Sequence, residues 1–348
     1  MNSLCKTNTR NNSIDLFRYV CAIMVVIIHS TFYTGWGAFG LFIGHIFPRI
    51  AVPFFFATSG YFYIKKLIEG KPVFLKQLKH ILLTYSIWSS VYFALDFFNC
   101  IILDRAPILP FLKKCVVAFF IEGSAGHFWY FPALIIALCI VTLFYKLKAM
   151  KLLIPVSAAM YVLGCLGCSY YELSRKIPFL GSFYEMGCFN TIRRIFLMAF
   201  PLFSTGYLLI KLEKKYVISN KKLIISWIIT ATAFLAEVLT VVCFEIQENF
   251  VLTFSLYFML IATMFLLLSN PLAKYQKFAK PARTIANFTY YSHPLFQIFA
   301  KLFSKFTNIA IPNIIVFFCT IAITFILGYI CYILIEKKDI RFVKLMIG

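Results

Sequence analysis

Two ionisable side chains, Arg18 and His29, lie inside the first long apolar stretch of the chain, residues 14–33. They are eleven positions apart, and eleven steps of about 100° bring both onto nearly the same face of a helix. At about 1.5 Å per residue they are about 16 Å apart along its axis, roughly half of the ~30 Å apolar thickness of a bilayer. Ionisable groups at such depth usually face a bundle interior or a water-filled cavity. The pair therefore predicts general-base chemistry by the imidazole of His29, with a cation on the same face that binds anionic groups. The alternative for His29 is a polar contact between helices.

The composition predicts the elements that must position this pair. Of 348 residues, 61% are hydrophobic and 14% are charged, whereas a soluble domain is nearer half apolar and a quarter charged. We therefore expect an all-α polytopic membrane protein, with residues 1–348 forming a single domain. The net charge of +21 would also suit nucleic-acid binding. The basic residues cluster in short segments between apolar runs, however, so the expected partner is the lipid bilayer and not nucleic acid.

About ten transmembrane helices are predicted from apolar runs of about 20 residues. They are residues 14–33, 41–64, 81–103, 127–145, 152–169, 194–210, 223–244, 250–269, 284–303 and 313–335. Lys and Arg are concentrated in the even-numbered connections and the C-terminal tail, which predicts that both termini are cytoplasmic. A shorter apolar piece within residues 99–126 is expected to lie at the interface or to be re-entrant.

Further features of the sequence predict contacts inside the bundle. The second run reads FFFATSGYF; Pro53 is expected to loosen this helix, and Ser59-Gly60 to allow close helix packing. Glu237, a carboxylate within an apolar run, is expected to have a partner across the bundle. The eleven cysteines show no metal-ligand spacing with histidine, so no metal site is expected.

Lys76 and Lys79 precede the third predicted span and are three positions apart, which places them on one helical face. They are able to meet a phosphate as point charges, although lysine lacks the bidentate geometry of arginine. The alternative is an ordinary positive-inside loop.

The predicted outer side carries a second group of candidates. His127, Trp129 and Tyr130 open the fourth span, where an aromatic belt explains Trp129 and Tyr130 and where His127 is expected to be an interfacial residue with satisfied hydrogen bonds. Arg193 and Arg194 stand against the positive-inside trend. They are expected to hold an anionic or polyhydroxyl acceptor, or to extend towards lipid headgroups.

His293 lies midway through the ninth span, directly before Pro294 and three residues after Tyr290. It is able to orient or tune a site formed with other helices. A structural polar contact is the equal alternative.

Several of these pieces, in this order over residues 14–337, resemble the membrane acyltransferase 3 family, whose members are integral-membrane O-acyltransferases of the acetyl-CoA type. The resemblance is carried by the Arg18–His29 spacing, by FFFATSGYF, by GHFWYFPAL, and by Tyr290 and His293. The sequence departs from the family at Lys76 and Lys79, where the family usually has arginines, and at Arg194, where it usually has asparagine.

The resemblance implies transfer of an acyl group, most often acetyl from acetyl-CoA, to a hydroxyl of a cell-surface or lipid-linked glycan. It implies an integral plasma-membrane protein of a bacterium with no permanently bound cofactor and no metal, because the thioester donor is already activated. His29 and Arg18 would be catalytic, with Arg18, Lys76 and Lys79 binding acyl-CoA. The glycan acceptor would be bound at the outer face, by a set comprising Arg193, Arg194, Trp129, Tyr130 and His293.

Two other interpretations fit the sequence. A transporter or flippase for a lipid-linked sugar would also use intramembrane charges and helices broken at Pro53 and Pro294. A non-catalytic membrane sensor could keep the same fold. Labelled acetyl-CoA distinguishes them, because an acyltransferase moves the label to a glycan.

Overall fold

The computed structural model describes residues 11–103, 105, 107–216, 218–247, 249 and 251–348, so the first ten residues of the predicted domain lie outside it. Within these ranges the chain is helical and contains no β-strand. The all-α prediction is confirmed for the part of the chain described.

The α-helices follow one another along the chain with short connections. They are α1 (Asn12–His29), α2 (Gly37–Leu41), α3 (Ala51–Ile68), α4 (Phe74–Phe97), α5 (Ile108–Val117), α6 (Tyr130–Lys146), α7 (Met150–Leu166), α8 (Tyr171–Ser174), α9 (Pro178–Tyr184), α10 (Phe189–Ile192), α11 (Phe200–Lys215), α12 (Asn220–Cys243), α13 (Phe254–Leu268), α14 (Gln276–Thr307), α15 (Asn313–Lys338) and α16 (Arg341–Ile347). Wider π-turns extend or join several of them, at Phe42–Ile46, Phe98–Leu103, Ala118–Glu122 and Arg193–Ala199. Tighter 3₁₀ turns lie at Phe47–Ile50 and Ala273–Tyr275.

Among the described residues, six helical stretches are long and apolar enough to cross a bilayer, or seven if the bent pair of α13 and α14 counts as one span. The six are Asn12–His29, Gly37–Ile68, Phe74–Ile101, Phe189–Lys215, Asn220–Cys243 and Asn313–Lys338. The protein is thus a multi-pass membrane protein, and the count of ten is not confirmed. α6 and α7 have 17 residues each, fewer than the ~20 that a typical span requires. α13 has 15 and bends by 72° into the following helical segment.

Helices α1 and α14 begin at the same end of the bundle and pack along each other. The amide of Asn12 donates to the carbonyl of Ala273 at 2.7 Å, and the side chain of Asn11 caps α1 by accepting from the backbone N–H of Ile14 at 3.0 Å. These contacts fix the start of α1 against the turn before α14. We call this end of the bundle, where α1 and α14 begin, the basic end. The opposite end, which carries His29 and His293, is the histidine end.

Helices α3 and α11 approach each other closely through two glycines. A Cβ at Gly60 would lie 1.9 Å from the carbonyl oxygen of Phe203, and one at Gly206 would lie 2.3 Å from the backbone nitrogen of Tyr61. Neither position has room for a side chain, so the predicted close contact at Gly60 is confirmed. Pro53 lies inside the continuous helical stretch Gly37–Ile68, three residues after its 3₁₀ turn Phe47–Ile50. The loosening of this helix at Pro53 stays a prediction.

The segment between α4 and α6 contains the short helix α5 and the π-turn Ala118–Glu122. α5 has 10 residues, about 15 Å of helix, and leaves apolar side chains such as Leu109 and Val116 exposed. A helix of this length cannot cross a bilayer, and its exposed apolar side chains suit the predicted interfacial placement.

Candidate active site

Three imidazole rings meet at the histidine end. The ring centroid of His29, the last residue of α1, lies 5.4 Å from that of His293 on α14 and 6.1 Å from that of His127, in the turn before α6. His127 and His293 are 4.9 Å apart. His29 is exposed, whereas His127 and His293 are 3% and 0% exposed. We call these three residues the histidine cluster; it places one accessible imidazole against two buried ones.

The hydrogen bonds of His293 define which of its nitrogens carries the proton. Nδ1 lies 3.1 Å from the carbonyl oxygen of Thr289 and 3.0 Å from that of Tyr290. Because a carbonyl oxygen can only accept, Nδ1 is the N–H donor, and in the neutral ring Nε2 keeps its lone pair. The Tyr290 carbonyl is available because its usual helical donor would be residue 294, a proline without N–H.

Two tyrosine hydroxyls hold the backbone around the cluster. The hydroxyl of Tyr290 donates to the carbonyl of His127 at 2.8 Å, which ties the turn before α6 to α14. The hydroxyl of Tyr92, on α4, donates to the carbonyl of Tyr291 at 2.7 Å. The positions of His127 and His293 are therefore set by contacts between α4, α14 and the turn before α6.

Arg18 lies nearer the basic end of the same pair of helices. Its guanidinium is 3.7 Å from the carboxylate of Asp15, and its side chain is 16% exposed. It interacts electrostatically with Tyr130, Tyr291 and Arg283. The rings of Tyr130 and Tyr291 both adjoin that of Tyr290, which in turn adjoins His127. The hydroxyl of Ser59 is 3.4 Å from that of Tyr130. Arg18 is thus placed between the histidine cluster and the basic end.

A cavity of about 340 Å³ opens at the basic end between α4, α14, α15 and α16. Its lining is rich in cationic and polar side chains and comprises His80, Lys280, Arg283, Thr284, Tyr332, Ile335, Glu336, Lys344, Ile347 and Gly348. We call it the basic cavity. Because Arg283 both lines it and interacts with Arg18, the cavity, Arg18 and the histidine cluster follow one another along α1 and α14.

The predicted donor-binding lysines are not brought to this cavity. Lys76 and Lys79 are both exposed, and neither belongs to its lining. Lys79 lines a separate apolar groove of about 380 Å³ on α4. The side chain from this helix that does reach the basic cavity is the next residue, His80.

The two predicted outer arginines lie at the π-turn Arg193–Ala199. The guanidinium of Arg194 stacks over Trp129, 5.4 Å from the centre of the indole ring. Trp129 is two residues along the chain from His127. Arg193 donates to the sulfur of Cys168 at 3.6 Å and interacts electrostatically with Arg49. The π-turn therefore places Arg194 against the turn that carries His127.

Glu237 on α12 has its partners at the start of α13. Its carboxylate accepts from the backbone N–H groups of Phe254 and Ser255 at 2.8 and 2.7 Å, and from the hydroxyl of Tyr170 at 2.8 Å. The hydroxyl of Ser255 donates to it as well. This is an anion at a helix N-terminus, which is a structural contact away from the histidine cluster.

Sequence reasoning missed several residues of this site. His127 was expected to be an interfacial residue, yet it is buried in the histidine cluster. His80 and Arg283 read in the sequence as ordinary basic residues near a loop. A histidine next to an aromatic pair was the available signal for His127, but its two imidazole neighbours come from α1 and α14. Among the described residues, no group of three His, Cys, Asp or Glu side chains is arranged to hold a metal ion.

The chain is thus a multi-pass helical membrane protein in which three histidine rings meet at one end of the bundle. Residues 11–333 match the family described as "Acyltransferase domain", Acyl_transf_3. The match covers nearly the whole chain, so the protein belongs to the acyltransferase 3 family.

The chain is also similar to racemases of enterococci. It is 34% identical over 184 residues to an "Amino-acid racemase" of Enterococcus faecalis, covering 50% of this chain and 25% of that protein. It is 29% identical over 175 residues to a "Serine/alanine racemase" of Enterococcus gallinarum, covering 49% of this chain and 24% of that protein. The matches therefore cover about a quarter of the length of these curated relatives. No solved structure matches the chain.

Proposed function

We propose that the protein transfers an acyl group, acetyl foremost, from cytosolic acyl-CoA to a hydroxyl of a cell-surface or lipid-linked glycan. The observation that carries the proposal is the succession of the basic cavity, Arg18 and the histidine cluster along α1 and α14. A basic cavity suits the phosphorylated end of the donor, and an accessible imidazole suits activation of a hydroxyl.

The chemistry requires a base and no covalent enzyme intermediate. The hydroxyl oxygen attacks the thioester carbonyl while His29 takes the hydroxyl proton. The carbon–sulfur bond then breaks, the acyl–oxygen ester is formed, and His29 returns the proton to the thiolate of CoA. Arg18 neutralises negative charge on the donor side of this reaction.

The proposal includes an orientation in the membrane. The basic end faces the cytoplasm, where acyl-CoA is available, and the histidine end faces outwards, where Arg193, Arg194, Trp129 and Tyr130 meet the acceptor. The concentration of Lys and Arg in the connections at the basic end supports this orientation, ten spans, and cytoplasmic termini in the plasma membrane of a bacterium.

The other interpretations have less support. The flippase alternative requires helices broken at Pro53 and Pro294, but the helical stretch Gly37–Ile68 and helix α14 each continue past their proline. The racemase names describe proteins of which about a quarter is matched, whereas the acyltransferase family covers residues 11–333 of this chain. We therefore base the proposal on the family.

The test is the glycan itself. Mass spectrometry of surface and lipid-linked glycans from a deletion strain should show the loss of one acyl substituent, which is acetyl in the simplest case. Its return on expression of the parent chain would support the proposal. An unchanged acylation pattern in the deletion strain would reject it.

A further inference from the structure

One face of α14 carries buried polar atoms that have no hydrogen-bond partner within the described residues. On α14 they are Oγ1 of Thr289, Nε2 of His293 and the side-chain Nε2 of Gln297. Nε2 of His127, in the turn before α6, is also buried without a hydrogen-bond partner. Thr289, His293 and Gln297 are successive positions four apart, so they point to one side of the helix. Four of the six such atoms among the described residues are gathered here. We call these four residues the polar stripe.

Such atoms are uncommon, because at least nine in ten buried polar groups are paired. Thr289, His293 and His127 are 1%, 0% and 3% exposed, so bulk water does not satisfy them. An unpaired buried polar atom destabilises the folded protein, because it has lost its hydrogen bonds to water. The arrangement is therefore that of a site whose partner is a ligand or water.

The polar stripe defines what kind of group can pair with it. Nε2 of His293 carries a lone pair in the neutral ring and needs a donor, whereas the Gln297 amide nitrogen needs an acceptor; the Thr289 hydroxyl can do either. A thioester carbonyl or a phosphate diester offers acceptors alone, so neither can serve His293. A hydroxyl both donates and accepts, and neighbouring hydroxyls on one ring match several positions of the stripe.

We propose that the polar stripe is the binding site for the hydroxyl groups of a sugar acceptor, held against His29. The ring of His293 lies with its centroid 5.4 Å from that of His29, so a hydroxyl bonded to Nε2 of His293 is within reach of the exposed imidazole. The inference rests on the proposed function, because it names the chemistry of the acceptor for that reaction.

Pro294 is the positioning residue of this site. It leaves the Tyr290 carbonyl without its helical donor, and that carbonyl, together with the carbonyl of Thr289, holds the proton of His293 on Nδ1. Nε2 consequently stays an acceptor. Pro294→Ala would supply a backbone N–H that competes with Nδ1–H of His293 for the Tyr290 carbonyl. The tautomer with its proton on Nδ1 would then be less favoured.

Binding is tested without any acyl transfer. Purified protein labelled with ¹⁵N-histidine is titrated with methyl glucoside, and the Nε2 resonance of His293 is followed. We expect it to shift with methyl glucoside and to stay in place with the per-O-methylated glucoside, which has the same ring but no hydroxyl donor. No shift with methyl glucoside, or the same shift with both probes, overturns the proposal. Failure of the proposed function would instead appear as a parent protein that transfers no acyl group.

Two substitutions separate hydrogen bonding at Nε2 from mere packing. His293→Gln supplies an acceptor near the Nε2 position, whereas His293→Asn retains a donor towards the Tyr290 carbonyl and has nothing at that position. We expect methyl glucoside binding, measured by ligand-observed NMR, to weaken about tenfold or more in His293→Asn and clearly less in His293→Gln. Equal binding in the two variants overturns the proposal.

Thr289→Val provides a second comparison with a matched control. It should weaken methyl glucoside binding, because it removes a hydroxyl of the polar stripe. Ser292→Ala removes an equally buried hydroxyl from the same helix, but one whose hydrogen bond goes to the carbonyl of Phe288 at 2.7 Å. Ser292→Ala should bind the probe like the parent; equal losses in both variants contradict the site.

Discussion

The imidazole rings of His29 and His293 lie with their centroids 5.4 Å apart, on two helices that begin side by side at the basic end. His29 ends α1 and is exposed, whereas His293 is fully buried within α14. The two rings therefore suit different roles. The exposed ring of His29 can exchange a proton with a bound molecule, and the buried ring of His293 can hold that molecule by a hydrogen bond.

Topology is the first prediction. A reporter fused after Gly40 should read as outside the cell, and reporters fused after Lys148 and Gly348 should read as inside, because the basic connections stay in the cytoplasm. Alkaline phosphatase and fluorescent-protein fusions report the two sides independently. A C-terminal reporter that reads as outside would contradict the proposed orientation and place the basic cavity away from acyl-CoA.

Arg18 gives a prediction for the donor. Arg18→Ala should raise the KM for acetyl-CoA at least tenfold, and Arg18→Lys should fall between, because lysine keeps the charge but loses the planar fork. Initial rates in proteoliposomes measure this. Arg175→Ala, which removes a largely exposed ion pair with Glu172 on α8, is the control and should leave the KM unchanged. Equal KM values in the parent and Arg18→Ala would remove Arg18 from the donor site.

The basic cavity and the lysine pair of α4 make competing predictions for where the nucleotide end of the donor binds. Lys280→Ala with Arg283→Ala removes two positive charges from the cavity, and Lys76→Ala with Lys79→Ala removes two from the exposed face of α4. We expect the Lys280 and Arg283 substitutions to weaken CoA binding more than the Lys76 and Lys79 substitutions, because a cavity encloses a bound ligand more fully than an exposed helix face does. The loss should be sensitive to salt. Isothermal titration calorimetry with CoA at two salt concentrations compares the affinities of the two double variants. A greater loss of CoA affinity in the Lys76→Ala, Lys79→Ala variant would favour the site predicted from sequence.

Glu237 gives a prediction about stability. Glu237→Gln should lower the free energy of unfolding by about 1–3 kcal/mol, because the amide cannot replace a charged acceptor at the start of α13. Thermal unfolding in detergent measures the change. Glu69→Gln, at an exposed pair with Lys71, is the control and should have little effect. A Glu237→Gln protein as stable as the parent would mean that this cap contributes nothing.

The sequence predicted the shared face of Arg18 and His29, because both lie on one helix whose geometry is known in advance. It could not predict the place of His127, since the imidazoles around that residue come from α1 and α14. The bond between His293 and the Tyr290 carbonyl was available in principle, because a proline always frees the carbonyl four residues earlier. The basic cavity could not be predicted from the sequence, since side chains from four separate helices line it. The ten predicted spans exceeded the long helices found because hydropathy does not report where turns shorten a helix, as they do around α7 and α13.

His29 is the centre of the account. General-base catalysis is commonly worth ~10²–10⁴-fold, so His29→Ala should lose nearly all transfer while still inserting in the membrane and binding CoA. In the parent, the transfer rate should rise with pH across the range in which an imidazole loses its proton, because only the neutral ring can act as a base. A rate independent of pH between about 5 and 8 would argue against histidine in this role.

The most direct measurement compares the parent with His29→Gln in proteoliposomes supplied with labelled acetyl-CoA and extracted glycan. Glutamine can form a hydrogen bond but cannot take the hydroxyl proton at neutral pH. We expect the parent to move label to the glycan, and His29→Gln to move less than about one hundredth as much while binding CoA normally. Nearly full turnover in His29→Gln, or no labelled glycan from the parent, would contradict the account.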